Sequence, residues 1–252
     1  MTPKVFVLIP AYNEKDNIQR VVTSLLELQS QDTKLVHKVI VCDNNSDDGT
    51  GDLARSAGAE VVYEGQKGYG KACLKAISHL YQHKPRANDI VVFVDGDNSV
   101  KVSELPFMLD VLRKRKGLVV GARVSKNIET GAMSPQQRVG NIVASALIRW
   151  LWNTTVTDLG PFRALHFRDL HNLYMQDEAF GWTTEMQIKC IAKGLPYTEI
   201  HVSTLRRAGH SKISGTLRGT IGAAHGIFST IFWFWWQQRT AELSFTPKDK
   251  IS

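Results

Sequence analysis

Over the first half of the chain, apolar runs alternate with helical patterns, and this alternation constrains the fold more than any other feature. Val5–Ile9, Val36–Cys42, Ala59–Tyr63, Ile90–Val94 and Leu118–Gly121 are continuous and rich in Val and Ile, as strands covered on both faces are. Between them, residues 15–29, 50–57, 70–82 and 103–115 read as helices. In the first, Ile18, Val21, Val22, Leu25, Leu26 and Leu28 form an apolar stripe at helical spacing. The order predicts an α/β fold with a mostly parallel, doubly wound, Rossmann-like sheet and helices on both faces. In such sheets ligands bind beyond the carboxyl ends of the strands.

The second half is less regular. Residues 135–152 read as a helix, Asp158–Arg163 as a loop, 184–193 as a helix and Tyr197–Val202 as a strand. Residues 219–238 carry no formal charge, and Phe232-Trp233-Phe234-Trp235-Trp236 concentrates aromatics as membrane interfaces do. We read this segment as a helix lying in a membrane surface; the alternatives are packing on the core or a contact with a second copy in a homo-oligomer. The chain thus divides into a main domain at 1–218, an apolar aromatic helix at 219–238 and a polar tail at 239–252.

With 252 residues, 43% hydrophobic and 22% charged, the composition excludes intrinsic disorder. The net charge of +7 suits a phosphate-bearing partner: nucleic acid, an anionic membrane or a phosphorylated substrate. Basic residues gather at Arg113–Lys116, read as a solvated helix end, and again at Arg206, Arg207, Lys212 and Arg218. Cys42, Cys73 and Cys190 are scattered and form no C-x-x-C, which argues against a disulfide framework or zinc site and for a reducing compartment. The opening MTPKVFVLIPAYNE turns polar too soon for a signal peptide.

Polar residues collect at the strand ends: Pro10-Ala11-Tyr12-Asn13-Glu14 after the first, Asp43–Thr50 after the second, and Asp95-Gly96-Asp97-Asn98-Ser99 after the fourth. Each alone is an ordinary turn with a helix cap; a parallel sheet would bring all three to one edge. Asp95 and Asp97, separated by one residue in a turn, can face one Mg²⁺ or Mn²⁺ ion, since hard cations prefer oxygen ligands. Gly65–Lys71 matches G-x-x-x-x-G-K, which offers a rival reading as the phosphate loop of a nucleotide triphosphatase. Ala72 stands where that loop needs Ser or Thr, and the milder reading is a glycine-rich turn that lets backbone and Lys71 approach a nucleotide. His79 and His83 are four apart on a helix and suit a metal; with no third ligand evident, they read as surface histidines.

The stretches VLIPAYNEKDNI, VIVCDNNSDDGT, GYGKA, VVFVDGDNS, VVGAR, TDLGPFRAL, GWTTEMQI and RRAGHSKIS resemble, in order, the inverting family 2 glycosyltransferases of GT-A fold. Within them the chain is most similar to dolichyl- and polyprenyl-phosphate mannosyl- or glucosyltransferases. The resemblance implies that a hexose moves from a UDP- or GDP-sugar to a polyprenyl phosphate, at the cytoplasmic face of a membrane to which the protein is peripheral or monotopic, with no nucleic acid as partner. It implies that Pro10, Ala11, Tyr12, Glu14 and Asp43 line the base and ribose, that Lys71 and Gly96 sit near the nucleotide, and that Asp95 and Asp97 hold the ion. It places Arg123, Arg138, Arg206 and Lys212 on donor and acceptor phosphates, with Arg207 beside them. Three departures bear on specificity: Asp43-Asn44 replaces a common acidic pair, Ser99 stands where many relatives carry a Gln ligand, and Gly160-Pro161 replaces a Thr-Gly-Ser pattern. A phosphate acceptor is already anionic near neutral pH and needs cations rather than a base. A hydroxyl acceptor would need one, with Glu185 or Asp158 as candidates. Glu185 reads equally as a helix N-terminal acid, and Asp158 as a hydrogen-bonded residue of the following turn.

Overall fold

The computed structural model describes residues 2–30, 33–206 and 217–240. Strand β1 (Val5–Ala11) leads to α1 (Ile18–Leu26), followed by a short hairpin of β2 (Gln29–Ser30) and β3 (Thr33–Lys34). Then come β4 (Lys38–Asp43), α2 (Thr50–Ser56), β5 (Glu60–Tyr63), α3 (Tyr69–Leu80), β6 (Ile90–Phe93), α4 (Leu105–Arg115) and β7 (Leu118–Ile128). The chain continues through α5 (Pro135–Trp152), β8 (Arg163–His166), α6 (Phe167–Leu173), α7 (Trp182–Ala192), β9 (Tyr197–Thr204) and α8 (Leu217–Arg239).

Seven strands form one sheet in the order β5-β4-β1-β6-β8-β7-β9. β1 lies parallel between β4 and β6, pairing Leu8 with Ile40 and with Phe93, and β5 extends the parallel run. β8 alone runs antiparallel to its neighbours β6 and β7, and β9 is again parallel to β7. The expected mostly parallel α/β sheet is therefore present, with one reversed strand. That strand begins at Arg163, the last residue of the stretch read as a loop, and runs beyond it. Four residues beginning with an arginine give no apolar run, yet Arg163 is wholly buried.

The continuous apolar runs are explained by burial on both faces. In β1, Val5, Val7 and Ile9 pack beneath α1 and α4, while Phe6 and Leu8 pack against α3 and α7. The stripe on α1 buries Ile18, Val21, Val22 and Leu25. α5 begins with a reciprocal cap between Ser134 and Gln137 and with Pro135 in its first turn, a combination that fixes a helix start. A third apolar cluster, including Ile148, Leu159, Ile188, Ile231 and Phe234, joins α5, α7 and α8. The aromatic run of α8 is thus divided: Phe234 is buried, while Phe232, Trp233 and Trp236 are exposed. No described helix is long and apolar enough to cross a membrane.

At the amino ends of the strands, Asp89 ties the sheet together. Its carboxylate accepts the backbone N–H groups of Lys4 (2.9 Å) and Arg86 (2.8 Å) and the Arg86 guanidinium (2.9 Å). Burial opposes its ionisation, but these donors outweigh that effect and hold the carboxyl below the usual aspartate value. A lowered carboxylate pKa stabilises the fold above the unfolded value, and the benefit is lost as pH falls. Asp89→Asn is expected to cost about 1–3 kcal/mol at neutral pH. The gap from the wild type should begin to narrow as pH falls below about 3.8, the ordinary aspartate value, and close only below the lowered folded-state value, when both are unfolded by urea across a pH series.

Candidate active site

The three polar turns meet at one sheet edge, as the parallel register requires: Ala11 pairs with Asp43 at the tips of β1 and β4. Each turn places an asparagine in the left-handed region, Asn13 (φ 54°), Asn45 (φ 60°) and Asn98 (φ 57°), where asparagine is enriched among non-glycine residues. The first two turns are knitted together. The Asn13 N–H donates to Ser46 Oγ, the Asp47 N–H to Asn13 Oδ1, and the Glu14 N–H to Thr50 Oγ1, at 2.8–3.0 Å. Much of the second acidic turn is therefore structural.

Beyond these tips lies a cleft of about 490 Å³ whose lining includes Pro10, Ala11, Tyr12, Glu14, Asp95, Gly96, Asp97 and Arg123. Asp97 is nearly buried, and its Oδ1 accepts the Ser99 N–H (2.9 Å). Asp95 Oδ1 accepts the Tyr69 hydroxyl (3.0 Å). Two carboxylates in one turn on the cleft floor are the donor type that Mg²⁺ and Mn²⁺ take, so this pair fits such an ion. Arg123 faces them. Its backbone N–H and Nε both donate to Asp158 Oδ2 (2.7 and 2.9 Å), and its Nη2 donates to Oδ1 (2.7 Å). Burial opposes the guanidinium charge, but Asp158, with Asp95 and Asp97, more than offsets this and raises the pKa. The cleft thus sets a fixed cation beside two acids. The lining also takes Gln136, Gln137, Gly140 and Asn141 from α5, a mostly polar strip, and Ala223, Ala224, Ile227 and Phe228 from α8, an apolar one.

Several expected site residues lie elsewhere. Asp43 lines a separate hollow with Ser46, Asp47, Asp52 and Arg55, because its carboxylate turns toward the start of α2, where a Cβ on Gly51 would come within 2.6 Å of Oδ2. Lys71 is tied outside the cleft lining to Gln66 and to Glu178 (3.4 Å). Arg138 is exposed on α5 and off the cleft lining, next to Gln137, which lines it. Arg206 is likewise exposed and off the lining, two residues beyond the lining Thr204, and its backbone N–H donates to Glu129 (2.7 Å). Arg207 and Lys212 lie outside the described residues, as does the tail from 241 onward.

Neither proposed base is available. Glu185 is buried, paired with Lys189 Nζ (2.6 Å), and accepts the N–H groups of Gln176 (2.9 Å) and Asp177 (2.8 Å). Asp158 bonds Arg123 rather than its own turn. The phosphate-loop reading also fails. Where such a loop would aim N–H groups at phosphate, the Gly70 and Lys71 N–H groups donate to the carbonyls of Ala179 (3.1 Å) and Glu178 (3.0 Å). The glycines serve close packing: a Cβ on Gly70 would lie 2.0 Å from the Asp177 carbonyl oxygen.

Lys67 went unread in the sequence, and Asn44 was read only as a departure from the family's acidic pair. Lys67 reaches over the Tyr12 ring (4.5 Å) and donates to its hydroxyl (2.5 Å). Asn44, buried, donates to the Gln66 carbonyl (2.7 Å) and accepts the Gly68 N–H (2.8 Å), holding the loop that carries Lys67. Only the proximity of Lys67 to the glycines hinted at it.

An acid pair at a strand tip of a mixed sheet, with an arginine in the same cleft, suits a phosphate-bearing ligand held with a divalent ion. Residues 6–179 match the model of glycosyl transferase family 2, and the chain belongs to that family, so the protein is a glycosyltransferase. An uncharacterized glycosyltransferase of Mycobacterium tuberculosis is 32% identical over 219 residues, 86% of this chain and 93% of its own. A dolichyl-phosphate hexose transferase of Haloferax volcanii is 29% identical over 207 residues, 82% of this chain and 85% of its own. The fold matches glucosyl-3-phosphoglycerate synthase from M. tuberculosis in complex with Mn²⁺, UDP and phosphoglyceric acid, with a TM-score of 0.72, 22% identity, and coverage of 92% of this chain and 78% of that one.

Three substitutions check these placements. Glu185→Gln should cost about 3–5 kcal/mol, because it leaves the Lys189 ammonium buried without its counter-charge; urea unfolding reads this directly. Gly70→Ala should cost about 1–3 kcal/mol by overpacking against the 177–179 backbone, whereas Lys71→Ala should leave stability within about 0.5 kcal/mol.

Proposed function

We propose that this glycosyltransferase transfers a hexose from a UDP- or GDP-sugar to a polyprenyl phosphate, with inversion at C1. The observation that carries this reading is the apolar stretch of α8, with Ala224, Ile227 and Phe228, which together with α5 lines the same cleft as Asp95 and Asp97. The same two helices expose Val139, Ile142, Val143 and Trp150 on α5, and Phe232, Trp233 and Trp236 on α8. An amphiphile with a phosphate head and an apolar tail matches such a cleft. The relative from Haloferax, which is named for a dolichyl-phosphate substrate, supports the same reading. The exposed aromatics suit a peripheral position on the cytoplasmic membrane surface, where amphipathic rings favour the headgroup region.

In this reading the donor base lies near Tyr12 and Lys67, while Pro10, Ala11, Glu14 and Gly96 shape the nucleotide site. Asp95 and Asp97 hold Mg²⁺ or Mn²⁺, which when bound supplies Lewis-acid stabilisation of the departing diphosphate. The C1–O bond to the donor phosphate breaks, an acceptor phosphate oxygen bonds C1 from the opposite face, and the nucleoside diphosphate leaves. Arg123, held bidentately by Asp158, presents its remaining N–H donors to phosphate oxygens without reorganising, the arrangement in which electrostatic stabilisation is most effective. The acid groups among the described lining residues are Glu14, Asp95 and Asp97. All belong to the donor side, so a phosphate that needs no deprotonation suits the cleft better than a hydroxyl. Arg138 and Arg206, each close in sequence to a lining residue, serve in this reading as basic groups for the acceptor headgroup, a role the family resemblance gives also to Arg207 and Lys212.

Purified protein assayed with UDP- and GDP-hexoses and a polyprenyl phosphate should form a lipid-linked hexose, with activity abolished by EDTA and restored by Mn²⁺ or Mg²⁺. Asp97→Asn should lower kcat by at least about 100-fold while leaving the melting temperature nearly unchanged. Turnover with a hydroxyl acceptor but not with the lipid phosphate would overturn the acceptor assignment.

A further inference from the structure

A second cluster of metal-ligating side chains stands apart from the cleft. His79 lies near the end of α3, and His83 follows one turn later in a 3₁₀ turn, a spacing that brings both rings to one side. Glu60 opens β5, the edge strand that packs beside α3. Both Nε2 atoms meet the same carboxylate oxygen, Oε1: His83 at 3.1 Å and His79 closer still. One ligand atom from each residue lies within 4.8 Å of the other two. We propose that Glu60, His79 and His83 form a structural site for a late first-row divalent ion of the Zn²⁺ class, distinct from the Asp95/Asp97 pair.

The donor set decides the class of ion. Two imidazole nitrogens and one carboxylate oxygen suit Zn²⁺, Ni²⁺ or Cu²⁺ over Mg²⁺ and Ca²⁺, which take oxygen. Around a tetrahedral Zn²⁺ with bonds of about 2.0–2.1 Å, ligand atoms stand roughly 3.4 Å apart; the 3.1 Å between Glu60 and His83 is already close to that. The second carboxylate oxygen, Oε2, accepts Lys38 Nζ at 2.6 Å. Oε1 is therefore the oxygen presented to an ion, while Lys38 orients the carboxylate as outer partners of metal ligands do. Phe6 walls the site, its ring 6.1 Å from that of His83. All three ligand side chains keep some exposure, which leaves an entry path and room for a water as fourth ligand. The site lies at the amino end of β5, whereas the cleft lies beyond the carboxyl ends of the strands. His79 is ten residues along α3 from Tyr69, about 15 Å. An ion there touches neither donor nor acceptor; it clips the edge strand to the helix whose other end supports the cleft.

The test uses the full-length, untagged protein, stripped with chelator and then dialysed against Zn²⁺ in the presence of millimolar Mg²⁺, which occupies the oxygen site. The wild type should retain one Zn²⁺ per chain, and its melting temperature should rise with Zn²⁺ as mass action requires but not with Ca²⁺. His83→Gln and His79→Ala should each weaken retention by more than tenfold and remove the thermal shift, while Asp97→Asn should retain the ion. Should His79→Ala fail to fold, His83→Gln, in the short 3₁₀ turn after α3, gives the answer alone. No retention by the wild type, or equal retention by the wild type and His83→Gln, would overturn the site.

Discussion

The cleft depends on a buried charge balance. Arg123 sits at the sheet edge beside Asp95 and Asp97, and Asp158, itself buried, meets its backbone N–H, Nε and Nη2 together. A guanidinium taken out of water without such a partner would be strongly unfavourable, and so would the carboxylate. Paired, they fix the middle of β7 to the chain leading into β8. That junction is tight in its backbone as well: the Gly121 N–H donates to the Phe162 carbonyl at 2.7 Å, and a Cβ on Gly160 would lie 2.3 Å from the Gly121 carbonyl oxygen. Gly160, one of the departures from the family pattern, therefore meets a steric demand of this junction.

Arg163 braces the same region from below. It is fully buried and donates to the carbonyls of Gly160 (3.2 Å from Nε) and Thr183 (2.9 Å). Burial lowers its pKa, a shift that the surrounding tyrosines and cysteines only partly oppose. Carbonyl oxygens from two segments thus converge on one cation, which holds the 159–161 loop against the start of α7, and both line the cleft through Leu159, Pro161 and Thr183.

The sheet was legible because its central strands are covered on both faces, so Val5–Ile9 and Ile90–Val94 stand out as unbroken apolar runs. The acid pair was legible because a parallel register forces strand tips to one edge. β8 was not, since a buried arginine looks like a loop residue until its carbonyl partners are known. Lys71 was misplaced for a related reason. The spacing of Gly65, Gly70 and Lys71 reads the same whether the glycines admit a phosphate or the backbone of residues 177–179, and only tertiary contact separates the two. His79 and His83 were visible as a pair, but Glu60 comes from a strand 19 residues upstream of His79, and no local pattern announces it. The aromatic run of α8 serves core and surface at once, with Phe234 packed inward and Phe232, Trp233 and Trp236 facing out.

α8 has two duties that cannot be separated. Its Ala224, Ile227 and Phe228 form part of the cleft wall, and one or two turns further along, Trp233 and Trp236 are bare to the outside. One continuous helix carries both sets of residues. The outer face of α8 and the inner wall of the chamber are therefore two sides of one rigid rod.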